Sequence, residues 1–464
     1  MTTVQFYLTL ATIISICFYS LNAQNIAFER LYGDWHSDQT GYSVKQTTDG
    51  GYVMVGGNDI FKTNAYGVET WTKPFAGDGR WVEEVDNAYV FCGTRGDNIY
   101  VEKRDTAGNL LWNRSYGTQA TGNFGYSIRQ THDNGYIITG YIDSLNSVKG
   151  MHLMKTDSAG NMLWEKVYES GMDEKGFSVQ ETADSGFIVT GHSEWSNTEF
   201  TAIFKTDQYG NTEWTTSVVG ACRDIIQTVD GGYVAVGDIA QTYGNYNDIY
   251  ILKLNASGQT QWDNTLGTYA LDEIANAIVQ TQDGSYVISG TTREQQGQAS
   301  FYYTKAIMLK IDSSGNSVWQ KHYTDTQLEQ SYGYDIEICS DGGFSLLGSH
   351  RFNNANTFEF YMIKTNHLGD VDTTVITNIQ EPLTKTESNI FPNPMTDRTN
   401  IQLDNREDKI KLINIYDISG KVVRTEQGNN TYRHTIQKQN LTKGQYFIEV
   451  ITNNGISKKI IWIK

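Results

Sequence analysis

Short runs in which hydrophobic and polar residues alternate recur along most of the chain, each bounded by glycine-containing turns. One unit runs from Gly125 to Trp164 and contains the strings GYSIRQTHDNGYIITG and LMKTDSAGNMLW. Alternation such as that of Tyr233–Gly237 is typical of half-buried strands, while Asp-Gly-Gly and Ser-Ala-Gly-Asn form tight turns that need a positive φ. The unit therefore predicts four strands, A to D.

This unit is repeated along the chain. Its first half carries a glycine followed by an aromatic residue, or a variant of that step, at Gly51-Tyr52, Ala88-Tyr89, Gly135-Tyr136, Gly186-Phe187, Gly232-Tyr233, Ser285-Tyr286 and Gly343-Phe344. Its second half carries a turn glycine at Gly67, Gly108, Gly160, Gly210, Gly258, Gly315 and Gly369. Seven copies, spaced mostly by about 45 to 55 residues, match the size of four-stranded propeller blades.

The two ends of the repeat region complete each other. The seventh copy stops at Asn366–Asp370 without its fourth strand, and Phe28–Gly33 near the start of the chain matches Trp112–Gly117 of the second copy. A last strand displaced to the start closes a ring and removes exposed sheet edges. We therefore predict an all-β protein in which residues 24–376 form a seven-bladed β-propeller closed by an N-terminal strand, in preference to a solenoid.

Two residue types recur in nearly every copy. The tryptophans are Trp71, Trp112, Trp164, Trp214, Trp262 and Trp319. The lysines that precede the C–D turn are Lys62, Lys103, Lys155, Lys205, Lys253, Lys310 and Lys364. We predict that the tryptophans pack between blades, the alternative being aromatic ligand platforms. The lysines are predicted to pair with turn carboxylates such as Asp49 or Asp133, the alternative being a ring-shaped anion site.

The N-terminal segment has the composition of a secretory signal. Residues 4–23 are apolar and uncharged and end in Leu-Asn-Ala before Gln24, which predicts a signal peptide over residues 1–23 with cleavage after Ala23. A basic start is missing, so an uncleaved anchor is the alternative. Cys17 follows Ile16 instead of a small residue, which disfavours lipid attachment at this cysteine.

Composition and charge suit a β protein and exclude some partners. Aromatic residues make up 12% of the chain, which has 44 Gly but only 4 Pro, a balance typical of many short strands. Of the formal charge of −17, residues from 388 onward contribute +5 and the preceding part −22. That part would repel nucleic acid and anionic membranes. The distant Cys92, Cys222 and Cys339 form no disulfide or metal pattern and fit small core residues.

A different strand pattern follows a polar linker that is predicted over residues 377–387. Alternating segments within residues 388–464 predict a small immunoglobulin-like β-sandwich. Its motif residues are Pro392, Asn393, Pro394, Tyr416, Asp417, Gly420, Lys421, Gly444 and Tyr446.

The Pro-Asn-Pro opening, the Tyr-Asp-x-x-Gly-Lys hairpin and the Gly-x-Tyr strand occur in order and resemble the type A C-terminal sorting domain of the type IX secretion system. The resemblance implies a Gram-negative bacterium of the Bacteroidota and passage across the outer membrane with the secretion machinery as partner. It also implies removal of the domain, with the mature protein released or attached to the cell surface. The alternative is a generic adhesion sandwich that stays in place.

The repeat has a resemblance of its own. Its motifs Asp-x-x-Gly-Asn-x-x-Trp and Asp-Gly-Gly-Tyr are similar to propeller repeats of secreted bacterial proteins and, more distantly, to the tryptophan-docked blades of quinoprotein dehydrogenases, over residues 26–375. Quinoprotein catalysis is expected to need a vicinal cysteine pair, and the sequence has no adjacent cysteines. We therefore predict no redox activity and no cofactor.

The B–C and D–A connections vary in length and lie on one face of an up-and-down propeller, where binding specificity is expected. Aromatic rings beside amide side chains suit sugar or peptide surfaces, although such rings also anchor loops. The candidate ligand-face residues are Trp35, His36, His192, Trp195, Tyr243, Tyr246, Phe301, Tyr302, Tyr303, His350 and Phe352.

Catalytic and metal-binding motifs are not evident. The acidic pairs Asp173-Glu174, Asp272-Glu273 and Glu83-Glu84 have no predictable separation across a cleft, and no calcium loop, Gly-x-Ser-x-Gly or His-Glu-x-x-His motif occurs. We predict no catalytic residue and no metal site. The leading hypothesis is an exported binding or adhesion protein for a glycan or protein. The alternative is an extracellular polysaccharide-degrading hydrolase or an accessory subunit of one.

Overall fold

A computed structural model describes residues 26–33, 39–117, 122–143, 149–169, 173–195, 198–241, 246–268, 271–295, 302–323, 329–352, 357–371, 384–385, 388–416, 422–452 and 455–464. Regular structure within these ranges is β-strand throughout. They hold no helix long and apolar enough to cross a membrane. The predicted cleavage site at Ala23 and most of the predicted linker lie outside the described residues.

The strands of the repeat region are β1 (Phe28–Tyr32), β2 (Ser43–Gln46), β3 (Tyr52–Thr63), β4 (Glu69–Val85), β5 (Ala88–Arg95), β6 (Asn98–Asp105), β7 (Leu110–Tyr116), β8 (Phe124–Gln130), β9 (Tyr136–Asp143), β10 (Lys149–Thr156), β11 (Met162–Tyr168), β12 (Asp173–Glu181), β13 (Phe187–Trp195), β14 (Thr198–Thr206), β15 (Thr212–Val219), β16 (Ala221–Gln227), β17 (Tyr233–Ala240), β18 (Asn247–Leu254), β19 (Thr260–Leu266), β20 (Leu271–Gln280), β21 (Tyr286–Gln295), β22 (Tyr302–Ile311), β23 (Ser317–Tyr323), β24 (Glu329–Ile338), β25 (Phe344–Phe352) and β26 (Glu359–Lys364). Those of the C-terminal region are β27 (Thr384–Lys385), β28 (Ser388–Phe391), β29 (Arg398–Leu403), β30 (Ile410–Tyr416), β31 (Val422–Gln427), β32 (Arg433–Gln437), β33 (Gly444–Thr452) and β34 (Gly455–Ile463).

The repeat region consists of small, predominantly antiparallel sheets. Strands β8–β11, β12–β15 and β16–β19 form three sheets of four strands each, and in each sheet the spatial order follows the chain. A six-stranded sheet has the order β2-β3-β4-β5-β6-β7. An eight-stranded sheet joins β20–β23 to β24–β26 and β1. Consecutive strands thus pair with one another, as short turns require.

Burial explains the alternation seen in the sequence. The two inner strands β9 and β10 are buried along most of their length, because they have neighbours on both edges and both faces. The outer strand β11 alternates, with Leu163 exposed and Trp164 turned toward the next sheet. The hydrophobic core therefore lies between successive sheets.

The sheets follow one another around a common axis. The first strand of each sheet packs on the preceding one: β8 on β4 and β5, β12 on β8 and β9, β16 on β12 and β13, and β20 on β16 and β17. Strand β24 packs on β20 and β21, and the cycle closes where β2 packs on β24 and β25. This closed cycle is the packing that a propeller requires.

The N-terminal strand lies where the repeat predicts it. Strand β1 pairs antiparallel with β26 over its whole length. The ring of Phe28 lies against Gly67 as the ring of Trp112 lies against Gly160, so Phe28 takes the place of the recurring tryptophan. The hydroxyl of Tyr32 donates a hydrogen bond of 2.7 Å to the carbonyl of Gly67.

The C-terminal region has two sheets and one core. A five-stranded sheet has the order β27-β34-β33-β30-β31, and a three-stranded sheet has the order β28-β29-β32. Buried side chains of both sheets, among them Ile401, Ile413, Ile436 and Ile448, belong to a single hydrophobic cluster. Two sheets that share one core are the basis of a sandwich.

Candidate functional site

The first strands of the sheets enclose a polar cavity of about 790 Å³, here called the central channel. Side chains two positions apart in a strand face the same side, so each first strand directs a short series of residues to this cavity. The charged and aromatic lining residues are Lys45, Trp81, Arg129, His132, Glu181, Asp224, Asp335 and Glu337.

Three ion pairs among four side chains join opposite charges in the channel wall. Arg129 Nη1 lies 2.6 Å from Glu83 Oε1, and its guanidinium carbon lies 4.3 Å from the ring centroid of Trp81. Lys45 Nζ lies 2.8 Å from Glu337 Oε1 and 4.0 Å from Glu83 Oε2. Although burial opposes it, the positive charges of Arg129 and Lys45 hold the pKa of Glu83 below its usual range. These four groups therefore neutralise one another.

Two buried aspartates tie neighbouring sheets together in the same wall. Asp224 accepts hydrogen bonds from Ser178 Oγ at 2.6 Å and from the backbone N–H of Ile278 at 3.0 Å. Asp335 accepts one from the backbone N–H of Val44 at 2.9 Å. Burial raises the pKa of both carboxyls, that of Asp335 to about 7. No group of three or more His, Cys, Asp or Glu that could hold a metal ion occurs in the described part of the chain.

A smaller cavity of about 240 Å³, here called the channel mouth, lies where these strands begin. Seven of its lining residues occupy equivalent places, directly after the glycine or its substitute near the start of each first strand. These residues are Tyr42, Arg80, Tyr126, Phe177, Arg223, Asn276 and Tyr334. All seven are half-buried. The first strands begin at the D–A connections, so the mouth opens on the face with variable connections.

Ring contacts hold the aromatic residues of the channel mouth in place. The ring centroids of Tyr42 and Tyr334 are 5.4 Å apart, and those of Tyr126 and Phe177 are 5.3 Å apart. The guanidinium carbon of Arg80 lies 3.9 Å from the ring centroid of Tyr42, within the range of a cation–π contact. These contacts reduce the entropy that the side chains would lose on binding a ligand.

Both arginines of the channel mouth have an acidic partner. Arg80 Nε donates to Asp78 at 3.0 Å, and Arg223 Nη2 donates to Asp238 at 2.6 Å. A guanidinium has five N–H donors, so each arginine keeps donors beyond its ion pair. The buried Nε of Arg223 has no hydrogen-bond acceptor among the described residues. The mouth thus places donors and acceptors side by side with little net charge.

Six of the seven recurring lysines and all six recurring tryptophans make the predicted structural contacts. Lys155 Nζ, for example, lies 2.8 Å from Asp133 of the A–B turn, and Lys103 instead contacts the hydroxyl of Tyr136 at 3.3 Å. The ring of Trp164 lies against the turn glycine of the next sheet, as do those of the other five. The lysines paired with a turn aspartate are Lys62, Lys155, Lys205, Lys253, Lys310 and Lys364.

Much of the predicted ligand face lies outside the described residues. Tyr246 and Tyr303 are half-buried beside the first residues of β18 and β22. The residues that are not described, or whose side chains are not described, are Trp35, His36, Trp195, Tyr243, Phe301, Tyr302 and Phe352.

Two predicted ligand-face histidines are buried. His192 is 9% exposed, and its ring centroid lies 6.3 Å from that of Phe177, which places it behind the channel mouth. His350 is 1% exposed, its Nδ1 lies 2.8 Å from Ser331 Oγ, and burial lowers its pKa to about 4. His350 is thus buried against side chains of the flanking strands β24 and β26, and its role in ligand binding stays a prediction.

A prediction based on loop composition does not include the residues of the channel mouth, because six of the seven belong to strands and Tyr42 directly precedes one. Their signal in the sequence is the residue that follows the first glycine of the repeat. An aromatic residue stands there in Gly41-Tyr42, Gly125-Tyr126, Gly176-Phe177 and Gly333-Tyr334, and an arginine in Gly79-Arg80. A shared position in successive blades indicates a ring of side chains around the axis.

The Pro-Asn-Pro opening of the C-terminal region is fastened to its last strand. Asn393 Oδ1 accepts a hydrogen bond of 2.9 Å from the backbone N–H of Trp462, and the N–H of Met395 donates to the carbonyl of Trp462 at 2.6 Å. The peptide bonds that precede Pro392 and Pro394 are cis. The motif therefore links the first and last segments of this region.

The other motif residues lie around the five-stranded sheet. The hydroxyl of Tyr416 donates to Glu449 at 2.8 Å, and that of Tyr446 contacts Thr442 Oγ1 at 3.0 Å. Gly444 opens β33. The motif residues outside the described ranges are Asp417, Gly420 and Lys421.

Residues 389–464 match the family model of the secretion system C-terminal sorting domain. The match covers the region in which the sequence motif predicts a type IX sorting domain and starts one residue after the predicted boundary. A domain of this kind directs export, to the cell surface or the medium. No match to the chain was found among curated proteins.

Similar solved structures share little sequence with the chain. A protein of unknown function from Bacteroides caccae is 13% identical, with a TM-score of 0.41 over 62% of this chain and 94% of its own. BamB from Moraxella catarrhalis is 11% identical, with a TM-score of 0.38 over 72% of this chain and 98% of its own. An endo-arabinase from Bacteroides thetaiotaomicron is 13% identical, with a TM-score of 0.34 over 62% of this chain and 93% of its own. These values are too low to transfer an activity.

Proposed function

We propose that the protein is an exported binding or adhesion module that holds a glycan or protein ligand at its channel mouth. The observation that carries this proposal is the set of aromatic rings, guanidinium groups and an amide around a cavity of about 240 Å³. Aromatic faces cover the apolar faces of sugars and side chains, and polar groups beside them bind hydroxyl or peptide groups. The sorting domain places this surface outside the cell.

The scaffold in this proposal is a seven-bladed β-propeller over residues 24–376. Blades 3, 4 and 5 are the four-stranded sheets β8–β11, β12–β15 and β16–β19. Blade 1 comprises β2, β3 and the start of β4, and blade 2 the rest of β4 with β5–β7, since residues 69–74 of β4 pair with β3 and residues 81–85 with β5. Blade 6 (β20–β23) and blade 7 (β24–β26 with β1) meet at the parallel pair Thr304–Gln330.

The remaining parts of the proposed organisation are the signal peptide over residues 1–23, the linker over residues 377–387 and an immunoglobulin-like sandwich over residues 388–464. The shared core of the two C-terminal sheets supports the sandwich. The sandwich would guide the propeller through the type IX machinery, after which the propeller acts either in the medium or on the cell surface.

A polysaccharide-degrading hydrolase is the alternative function, and one observation favours it. The pKa of Asp335, raised to about 7 by burial, suits a general acid near neutral pH. Its oxygens, however, accept backbone hydrogen bonds from Val44 and Ile336. The carboxylates of Glu83 and Glu337 are in ion pairs. The acidic groups of the channel thus already have partners within the protein, which favours binding over catalysis.

Binding at the channel mouth is tested with the mature chain, residues 24–464, in a screen against extracellular polysaccharides and proteins, with product analysis of every hit. We expect Tyr42→Ala and Tyr334→Ala each to weaken a hit by about tenfold or more, because each removes a ring from the wall. Tyr209→Ala is the matched control, since Tyr209 is 62% exposed in a C–D turn on the opposite face.

Two outcomes would contradict this proposal. Retention that is unchanged in both mouth variants would move the binding site elsewhere. Soluble products released from a retained polysaccharide would favour the hydrolase. Thermal unfolding of all three variants separates a lost contact from a lost fold.

A further inference from the structure

The rim of the channel mouth is much lower on one side. In blade 1, Tyr52–Val55 pairs with strand A and Asp59–Thr63 pairs with strand D, so the chain reverses at residues 56–58, where Gly57 has a φ of 48°. In blade 4 the equivalent strand continues from Phe187 to Trp195. The strand of blade 4 is longer than that of blade 1 by about four residues, which at roughly 3.3 Å each place the tip of its hairpin about 13 Å higher. Blade 6 has a longer strand still, β21.

Blade 2 extends this low side. Its strands β5 and β6 are joined by Gly96 and Asp97 alone. The connection from blade 1 to blade 2 lies within the continuous strand β4 and adds no loop. From its opening aromatic residue, strand B runs seven residues in blade 2, from Tyr89 to Arg95, and eight or more in blades 3 to 7, where it ends at Asp143, Trp195, Ala240, Gln295 and Phe352. Among the residues that the structure describes, the rim of the mouth is therefore lowest at blades 1 and 2.

The size of the mouth limits what it can enclose. A cavity of about 240 Å³ corresponds to about eight water molecules at roughly 30 Å³ each. It is also smaller than the roughly 300–1,000 Å³ of pockets that enclose drug-sized ligands. One sugar ring fits such a space, and the rest of a longer ligand has to leave through the open side.

Charge selects among possible ligands. The guanidinium groups at the mouth are already paired with Asp78 and Asp238, and the chain before residue 388 carries a formal charge of −22. An anionic ligand would thus gain little local attraction and meet repulsion from the surroundings. Sugar hydroxyl groups both donate and accept hydrogen bonds. The arginine–aspartate pairs offer hydrogen-bond donors and acceptors beside aromatic faces, which suits such groups.

We propose that the ligand is a neutral saccharide chain that inserts one sugar residue into the channel mouth and leaves over blades 1 and 2. This inference rests on the proposed binding function and names the class and direction of its ligand. Tyr42 and Arg80 lie at the exit, since Tyr42 directly precedes the first strand of blade 1 and Arg80 belongs to that of blade 2.

The test measures the affinity of the mature chain for neutral oligosaccharides of one to six residues by titration calorimetry. The probes are gluco-, xylo-, manno- and arabino-oligosaccharides, with oligogalacturonate as the charged counterpart. For at least one neutral series, the affinity should rise by about tenfold or more between one and four residues and exceed that for oligogalacturonate.

A loop insertion tests the direction of the chain. The segment Gly-Ser-Ser-Gly is inserted after Gly96, where an added Cβ atom would meet no other atom within 4 Å. This insertion should weaken tetrasaccharide binding by about tenfold and leave monosaccharide binding unchanged. The same insertion after Gly231, a turn glycine on the opposite face with equally open surroundings, is the matched control and should change neither.

The outcomes separate this inference from the proposed function. Equal affinity for one and four residues, tighter binding of oligogalacturonate, or an insertion at Gly96 without effect on the tetrasaccharide would each overturn it. Capture of a protein alone, lost in Tyr42→Ala, would overturn the saccharide inference and leave the binding function standing. Silence toward every saccharide and protein would overturn both.

Discussion

At the scale of single residues, the central channel contains a carboxyl that holds its proton unusually well. Asp335 is 8% exposed, and burial raises its pKa from 3.8 to about 7. The folded chain therefore binds a proton at this site over a pH range in which the unfolded chain has released it. By linkage, the stability gained from this proton is fully present below pH 3.8 and is lost as the pH rises to about 7.

Replacement of Asp335 by asparagine should remove this loss. Between pH 5 and pH 7 the free energy of unfolding of the wild type should fall, relative to that of Asp335→Asn, by roughly 1 kcal/mol per pH unit. Urea unfolding of both proteins at pH 5, 6, 7 and 8 measures this difference. The wild type is compared with the variant because buried His350, whose pKa is lowered to about 4, makes the stability of both proteins rise with pH. A difference that stays constant with pH would refute the role of Asp335.

At the scale of elements, β1 joins the beginning of the chain to the end of the repeat region. It pairs with β26 as an outer strand and buries Phe28 and Tyr32 in a cluster with residues of β2, β3, β25 and β26. Without it, β26 becomes an open edge, and the contact with Gly67 of blade 1 is lost. The strand therefore stabilises both blades that meet at the closure.

Deletion of residues 25–33 should destabilise the whole ring. We expect a thermal midpoint lower by about 10 °C or more, or the loss of a single cooperative transition, because two blades lose their shared interface. Differential scanning calorimetry of the deletion variant and the wild type provides the measurement. Phe28→Trp is the matched control, since the other blades use tryptophan at this place, and its midpoint should stay near that of the wild type. Unchanged cooperative unfolding of the deletion variant would argue against closure by β1.

Features that repeat with the unit could be predicted, while features made by many units together could not. The tryptophan contacts and the pairing of Lys155 with Asp133 recur at fixed positions, so one copy explains the others. The channel mouth depends on side chains from distant strands that meet at the axis, and a search of loops passes over them. The burial of His350 depends on the neighbouring strands β24 and β26, which its own sequence segment does not reveal.

At the scale of the whole molecule, the repeat region and the C-terminal sorting domain have separate hydrophobic clusters. The hydrophobic cluster of the C-terminal region contains residues from 390 to 463 and none from the repeat region. The clusters of the repeat region contain residues up to Val371. Because the described residues of the two parts share no hydrophobic cluster, each part is expected to fold without the other. Removal of the tail should therefore change where the protein goes and leave its fold intact.

This separation makes the export role testable. A chain that lacks residues 388–464 should keep the ligand affinity of residues 24–464 but accumulate inside the outer membrane, since the match to the sorting domain lies entirely within the deleted residues. Cell fractionation with protease treatment of intact cells locates the protein, and the thermal midpoint of the purified variant verifies its fold. The matched control attaches residues 377–464 to an unrelated folded reporter behind the same signal peptide, which should bring the reporter to the surface or the medium. Arrival of the truncated chain at the surface would instead make the C-terminal region an adhesion sandwich that is dispensable for export.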